Sequence, residues 1–203
     1  MKWHRWLALV IGVIMCLCAL ASCVRDDVTG GVETDLDYTD ISLSEYIGEV
    51  TYKGMTVNVG DGTKEEALWS AILKNAQIKA YPEDKVRYYF EQEKASYMYL
   101  VGGDKDDYKA LLVLRGITEE DMMARAKEMV AKDLIYRLVV EKEKIELTEK
   151  EKTELFDRYV DKYVADYGYG KAYVTANMSS IIYESMLYDK TMEYLILQNQ
   201  FVE

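Results

Sequence analysis

The side chains with the widest chemical range stand near the start of this 203-residue chain. Its single histidine is His4, and its three cysteines are Cys16, Cys18 and Cys23. Imidazole and thiolate groups act as nucleophiles, general bases and zinc ligands. The reactions and metal sites open to the working protein therefore depend on which of these groups it keeps.

Residues 1–22 have the order of a secretory signal peptide. A basic start that contains Lys2 and Arg5 is followed by an apolar run over residues 6–20. A membrane-spanning helix needs about 20 apolar residues, so this run is short for a span. The sequence therefore predicts a signal peptide rather than a membrane-spanning segment.

The signal ends in the tetrapeptide LASC at residues 20–23. This matches the bacterial lipobox, in which small residues precede a cysteine that carries diacylglycerol. We predict cleavage before Cys23, lipidation of Cys23, and a body anchored on the extracytoplasmic face of a cell membrane. An uncleaved N-terminal anchor with a chance cysteine is the alternative, and it also places the remainder outside the cytoplasm.

Cleavage at this position removes His4, Cys16 and Cys18, and lipidation occupies the thiol of Cys23. Without histidine or a free thiol, the chain has no Ser-His-Asp or Cys-His catalysis, no imidazole or thiolate zinc site and no disulfide framework. Acid–base chemistry then rests on Asp, Glu, Lys and Tyr. No catalytic constellation of these types stands out, which favours a binding protein without a cofactor over an enzyme.

Acidic residues outnumber basic ones, 36 to 25, and the formal net charge is −11 at pH 7. Loss of residues 1–22 removes basic groups alone and makes this balance more negative. Such a chain is repelled by nucleic acid and by anionic lipid headgroups. The charge argues against nucleic acid as a partner and suits a body that is held near a membrane and handles basic or unfolded chains.

Two short motifs have simpler explanations than ligand binding. The acidic segment DKDD at residues 104–107 lacks the alternating ligands, central glycine and distal glutamate of an EF-hand. It is typical of a helix start, where carboxylates favour the positive end of the helix dipole. The turn GDG at residues 60–62 lacks the lysine of a phosphate-binding loop. We therefore predict no metal site and no phosphate site at these motifs.

The chain divides by composition into a signal peptide (residues 1–22), a flexible polar tether (23–40) and a body (41–203). The tether contains adjacent glycines and many acidic residues, which cannot form a core of their own. At the start of the body, residues 49–59 alternate β-formers with polar residues around Gly54. This pattern predicts a small N-terminal β element of one or two strands.

From Thr63 onward the apolar residues have helical periodicity, so the predicted fold class is mainly α. Residues 63–66 (TKEE), 118–121 (TEED) and 148–151 (TEKE) place a threonine three residues before a carboxylate, as helix-start capping boxes do. Pro82 and several glycines separate the periodic runs. Helices are predicted from residue 63 to just before Pro82, from Pro82 to 101, and over about 104–114, 118–144, 148–167 and 177–198.

The chain has 18 tyrosines and 10 methionines. Methionine is flexible and polarisable, and tyrosine offers apolar area plus a hydroxyl, so both suit surfaces that accommodate varied partners. We predict an adaptable peptide-binding surface made of Tyr88, Tyr89, Phe90, Tyr97, Met98, Met122, Met123 and Met129. The alternative is that these side chains form core. Neighbours such as Tyr88 and Tyr89 cannot both face one core, so some of them must lie at an edge.

Several motifs resemble, in order, the C-terminal domain of trigger factor. Residues 46–59 are similar to the segment that links this domain to the rest of that protein, and residues 75–83 (NAQIKAYPE) are similar to its hinge. Residues 114–120 (LRGITEE), 124–151 and 182–190 (IYESMLYDK) resemble a later turn, the long helix with its following loop, and the closing helix. The likeness rests on the shared order of these motifs.

This resemblance implies a SurA-like helical domain with arm-like hairpins. Nothing resembles the ribosome-binding domain, and only residues 60–62 lie between Val59 and Thr63, where the isomerase domain would stand. The resemblance therefore implies ATP-independent binding of unfolded or partly folded exported polypeptides, without a role at the ribosome. Two alternatives stay open. One is a module that holds one folded partner at the membrane, and the other is a protein that shares the family's peptidyl-prolyl isomerase label but lacks the catalytic domain.

Overall fold

The computed structural model describes Tyr38 and residues 41–203. The predicted signal peptide, Cys23 and all of the predicted tether except Tyr38 lie outside the described residues. Tyr38 itself is buried, with 4% of its surface exposed, and its ring lies beneath the Lys85 ammonium group. Within the described part of the chain, no helix combines the length and the apolar character that crossing a membrane requires.

These residues are mainly helical, with eight helices and four short strands in the described part of the chain. The helices are α1 (Leu43–Tyr46), α2 (Lys64–Lys74), α3 (Glu83–Leu100), α4 (Lys105–Arg115), α5 (Glu119–Glu143), α6 (Glu149–Tyr167), α7 (Lys171–Asn177) and α8 (Ser179–Leu197). The strands are β1 (Ile47–Val50), β2 (Thr56–Asn58), β3 (Ala76–Ile78) and β4 (Gln200–Val202).

The residues that the structure describes form two compact units. Unit 1 comprises Tyr81–Val130 with the described residues before Leu43. Unit 2 comprises Leu43–Ala80 and Ala131–Glu203. The residues of α5 are therefore shared between the units, the first part belonging to unit 1 and the remainder to unit 2.

Unit 1 is built from α3, α4 and the first half of α5. Asp104 caps α4 by accepting the backbone N–H groups of Asp106 and Asp107 at 2.8 and 2.9 Å, the role that the sequence predicted for this acidic segment. Gly116 ends α4 in the left-handed conformation with φ of 63°. The core of the unit is formed by Tyr97, Tyr108, Leu112 and Met122.

Unit 2 contains two separate two-stranded sheets. β1 pairs antiparallel with β3, and β2 pairs parallel with β4, so the strands near residues 47–58 bind distant segments and not each other. At Gly48 a Cβ atom would lie 2.3 Å from Oε1 of Gln77, which shows how closely β3 approaches β1. The sequence pattern indicated strand character here and gave no sign of either partner.

The predicted helix from residue 63 to Pro82 is wrong in its second half. α2 ends at Lys74, and the chain then forms β3. Asn75 ends the helix: its side-chain amide donates to the Ala71 carbonyl at 2.8 Å. Beyond the strand, the Lys79 N–H donates to the Tyr46 carbonyl at 2.8 Å. Backbone groups of this segment thus find partners near β1, which a local pattern does not reveal.

The helices of the second half of unit 2 pack over a separate apolar core. Its fully buried side chains include Leu134, Val139, Val160, Ile182 and Leu195. The sequence predicted a break between residues 168 and 176, but α7 occupies Lys171–Asn177. Val174 is completely buried and anchors this short helix. A single apolar anchor in seven residues is too little periodicity for a sequence-based prediction.

The capping box of α6 gives a test of local stability. The Thr148 hydroxyl accepts the Glu151 N–H at 3.2 Å, while the Glu151 carboxylate accepts the Thr148 N–H at 2.8 Å. We expect Thr148→Ala to lower the free energy of unfolding by roughly 0.5–2 kcal/mol, because an N-terminal N–H group loses its acceptor. Urea denaturation followed by circular dichroism measures this change.

The matched control is Thr175→Ala, an exposed threonine within α7 that caps no helix. Its effect should stay within about 0.5 kcal/mol. Equal losses in the two variants would show that the cap contributes nothing beyond the threonine side chain itself.

Candidate functional site

All eight predicted peptide-binding residues lie in unit 1, but they do not share one exposed surface. Tyr97 and Met122 belong to the core of the unit, with 9% and 0% of their surfaces exposed. Phe90 and Met98 are half-buried and pack against that core. For these four, the core interpretation describes the structure better than the peptide-binding one.

The remaining four candidates are more accessible. Tyr88, Tyr89 and Met123 are half-buried, and Met129 is exposed over 42% of its surface. The rings of Tyr88 and Tyr89 meet edge to face, with centroids 5.6 Å apart. Of the original set, Met129 is therefore the side chain most available to a partner.

The most exposed apolar side chains of unit 1 lie on α4, where the sequence analysis did not place the site. Val113 and Leu114 have 81% and 84% of their surfaces exposed. The opposite face of the same helix carries Tyr108 and Leu112, both buried. At the end of α3, Leu100 is also exposed, at 57%.

A sequence signal for this surface was present. Residues 111–114 (LLVL) are four consecutive apolar residues within a helix. Successive helical side chains are rotated by about 100°, so such a run cannot enter one core. Two members had to point outward, and Val113 and Leu114 do.

The exposed apolar face of α4 begins at an end with charges of both signs. Asp106 lies seven residues before Val113, and Asp107 lies seven residues before Leu114, which places each pair on the same side of the helix. Both carboxylates are exposed, and Asp106 is paired with Lys109 at 3.5 Å. This face therefore offers apolar contact beside a mixed acidic and basic helix end.

Basic side chains elsewhere in unit 1 are engaged within it. Arg125 of α5 donates to Oε1 of Glu93 on α3 through two nitrogens, at 2.6 and 2.8 Å. Lys94 of α3 lies 3.6 Å from a carboxylate oxygen of Glu119. These pairs link α3 to α5.

The densest polar cluster of unit 2 centres on Glu143, at the end of α5. Its Oε1 accepts the Tyr52 hydroxyl at 2.6 Å and the Lys53 ammonium group at 2.7 Å, and its Oε2 accepts a short hydrogen bond from Tyr194. The hydrogen bonds from Lys53, Tyr194 and Tyr52 lower the pKa of Glu143 to about 2. Burial and the neighbouring carboxylate raise the pKa of Tyr52 to about 12.

This cluster joins segments rather than activating a reactant. An ionised carboxylate whose two oxygens accept three donors is a weak base, and tyrosines with a raised pKa remain protonated at neutral pH. The three donors come from the β1–β2 connection and from α8. Glu143 therefore serves as a structural tie within unit 2.

A second buried polar group lies between α2 and α8, also within unit 2. The Tyr188 hydroxyl donates to Oε1 of Glu65 at 2.7 Å and accepts the indole N–H of Trp69 at 3.0 Å. Burial and the Glu65 carboxylate raise the pKa of Tyr188. The Tyr188 hydroxyl thus both donates and accepts within this group, which is the pattern of a structural network.

Within Tyr38 and residues 41–203, no group of three or more His, Cys, Asp or Glu side chains is arranged to hold a metal ion. The acidic segment at residues 104–107 is used as a helix start instead. The candidate functional site is the outer face of α4 with its exposed apolar side chains Val113 and Leu114.

Substitution of two methionines of α5, one buried and one exposed, tests which side of this helix faces the core of unit 1. We expect Met122→Ala to lower the free energy of unfolding by about 2–5 kcal/mol, because it leaves a cavity among Tyr97, Tyr108 and Leu112. Met129→Ala, on the same helix and exposed, should change it by no more than about 0.5 kcal/mol. Guanidinium denaturation of both variants measures the difference, and similar values would contradict the assignment of Met122 to the core.

The Glu143 tie predicts a pH-dependent contribution to stability. Because folding lowers the pKa of this carboxyl from 4.5 to about 2, its contribution is complete above about pH 5 and is lost as the pH falls towards 2. Wild-type protein should thus be more stable than Glu143→Gln at neutral pH, and the gap should close in acid. Denaturation midpoints between about pH 2 and 7 measure this gap.

Glu141→Gln is the control for the loss of one charge, since Glu141 is an exposed carboxylate on the same helix. The stability difference between the wild type and Glu143→Gln could instead be constant with pH, or no larger than the difference for Glu141→Gln. Either result would show that the stabilising effect of Glu143 does not depend on its ionisation.

No protein-family model, curated protein or solved structure matches this chain. The likeness to the C-terminal domain of trigger factor stays a prediction from the motifs.

Proposed function

We propose that this chain is a lipid-anchored, extracytoplasmic, chaperone-like protein that binds unfolded or partly folded exported polypeptides without ATP. The observation that carries the proposal is the exposure of Val113 and Leu114 on α4, at 81% and 84%. Adjacent large apolar side chains that are both this exposed form a contact surface for other apolar groups. Unfolded chains present such groups, and folded chains bury them.

The size of this surface predicts weak binding. Full burial of one valine or leucine side chain contributes about 1.5–3 kcal/mol. Two such side chains yield only a few kcal/mol, and the entropy of association offsets part of that. Additional contacts to Leu100 and Tyr99 on α3 and to Met129 on α5 increase the total without requiring a fixed partner shape. Weak, broad binding is the behaviour expected of a holding chaperone.

The charge of the chain favours basic clients. The chain has 36 acidic and 25 basic residues, and its formal net charge is −11 at pH 7. An acidic surround attracts basic segments and repels acidic ones, and salt screens both effects. We therefore propose that clients are polypeptides whose apolar segments are flanked by lysine or arginine.

The N-terminal motifs and the family resemblance support the location and the kind of partner. The lipobox at residues 20–23 supports anchoring through Cys23 outside the cytoplasm. In this proposal α3 and α4, joined through Gly102 and Gly103, form one of the arm-like hairpins of the trigger factor domain. The strands β1 and β2 then correspond to its small N-terminal β element. Prolyl isomerisation is not included, because the resemblance does not extend to the isomerase domain.

The proposal predicts that the chain delays the aggregation of unfolded proteins. Light scattering of reduced lysozyme, a basic client, measures this delay, and we expect a smaller delay for reduced α-lactalbumin, an acidic one. The double variant Val113→Ser, Leu114→Ser should lose most of the effect on lysozyme, because it removes the exposed apolar contacts. Its own fold should persist, since both side chains face solvent.

Leu197→Ser is the control, because Leu197 is 75% exposed and lies in unit 2. It should delay aggregation as the wild type does. If the wild-type chain delays neither client, or if the α4 variant and the control lose the effect equally, the proposal fails.

One observation favours a second candidate function, a module that holds a single folded partner at the membrane. Val113 and Leu114 are consecutive on one helix face, so they also suit a small, fixed contact with one complementary surface. A pull-down with the full chain discriminates the two functions. A single stoichiometric protein that is lost in the α4 double variant supports the module, whereas a mixture of unfolded polypeptides supports the chaperone.

A further inference from the structure

Unit 2 carries an open cleft on the side of α6 that meets α8. Its volume is about 310 Å³. The residues that line it are Glu149, Lys152, Thr153, Phe156 and Asp157 of α6, and Tyr183 of α8. None of them belongs to the surface on which the proposed function rests.

The wall of this cleft is aromatic. The ring centroids of Phe156 and Tyr183 are 5.2 Å apart, and the ring planes are inclined by 36°. Tyr183 is exposed over 38% of its surface, and Phe156 is half-buried. A π-face that is accessible beside buried apolar surface attracts cations and the alkyl stems that carry them.

The charges around the wall leave a negative excess. Lys152 is paired with Glu149, with 2.7 Å between nitrogen and oxygen. Asp157 carries the second carboxylate. The nearby Lys171 ammonium group is paired with Asp161 at 2.8 Å and interacts with Asp157 only at longer range. The cleft therefore has two carboxylates and one ammonium group, and it favours a cationic occupant.

We propose that this cleft binds an arginine side chain of a polypeptide. A guanidinium group is planar, stacks on an aromatic face and forms paired hydrogen bonds with a carboxylate, which matches a tyrosine ring beside Asp157. The Glu149 side chain at the rim is 89% exposed, so the cleft opens to solvent there. An open rim suits a side chain whose backbone stays outside, rather than a small molecule that is enclosed completely.

The test uses ligand-observed saturation-transfer NMR with the full chain. The probe is N-acetyl-arginine N-methylamide, and the matched neutral probe is the citrulline analogue, which has nearly the same shape without the charge. We expect saturation transfer to the arginine probe and a clearly weaker transfer to the citrulline probe. Agmatine, a free guanidinium compound without a peptide unit, shows whether the cleft prefers a small molecule.

Two variants locate the binding. Tyr183→Ala and Asp157→Asn should each weaken binding of the arginine probe by about two- to fivefold, through loss of the ring face and of the carboxylate. Tyr183→Phe should retain it, because the π-face remains. The matched controls are Tyr173→Ala, an exposed tyrosine on α7, and Asp166→Asn, an exposed carboxylate on α6 outside the cleft. Neither control should change the affinity.

Each contrary result overturns the proposal. Equal transfer to the citrulline probe excludes charge recognition, and equal losses in the controls place the binding elsewhere. Tighter binding of agmatine than of the peptide-like probe shows that a free cation is the ligand. Because Asp157 is exposed, Asp157→Asn keeps the fold even if Tyr183→Ala does not. Aggregation assays with the α4 variant do not depend on this cleft, so the two proposals can fail separately.

Discussion

A helix can turn only one of its sides toward a given core, and this constraint decides which side chains of α4 are buried in unit 1. In α4 the inward side is occupied by Tyr108 and Leu112, which pack with Tyr97 and Met122. The apolar run over residues 111–114 is longer than that side can accept, so Val113 and Leu114 are left in solvent. Selection for stability alone would favour polar residues there. Their exposure is therefore the feature of the structure that most needs a functional explanation.

Features that depend on neighbouring residues could be predicted from the sequence, and those that depend on distant pairing could not. The capping box at Thr148 and the cap at Asp104 appear as expected, because each is decided within four residues. The end of α2 was misplaced, because residues 76–78 pair with β1, whose strand lies about thirty residues earlier. β4 was missed for the same reason, since its partner is β2 at the other end of the body.

The peptide-binding residues predicted from the sequence lie in unit 1, and so do Val113 and Leu114, the most exposed apolar side chains of that unit. Tyrosine and methionine content drew attention to residues 88–129, and unit 1 does carry the most exposed apolar groups. Composition, however, does not say which side of a helix is buried. Tyr97 and Met122 are buried, whereas Tyr89 is half-buried and Met129 is exposed, because their positions on the helices differ. Runs of adjacent apolar residues were the better guide, since helix geometry forces part of such a run outward.

The two proposed surfaces have complementary chemistry, and this bears on what one partner would need. The α4 face offers exposed apolar contact, and the α6–α8 cleft offers an aromatic wall with a negative excess. A polypeptide that combines apolar segments with arginine can satisfy either one, whereas an acidic or wholly polar chain satisfies neither. The side chains of Glu143 and Tyr188 instead bond to partners within unit 2. Both proposals therefore place binding where apolar or aromatic side chains are exposed to solvent.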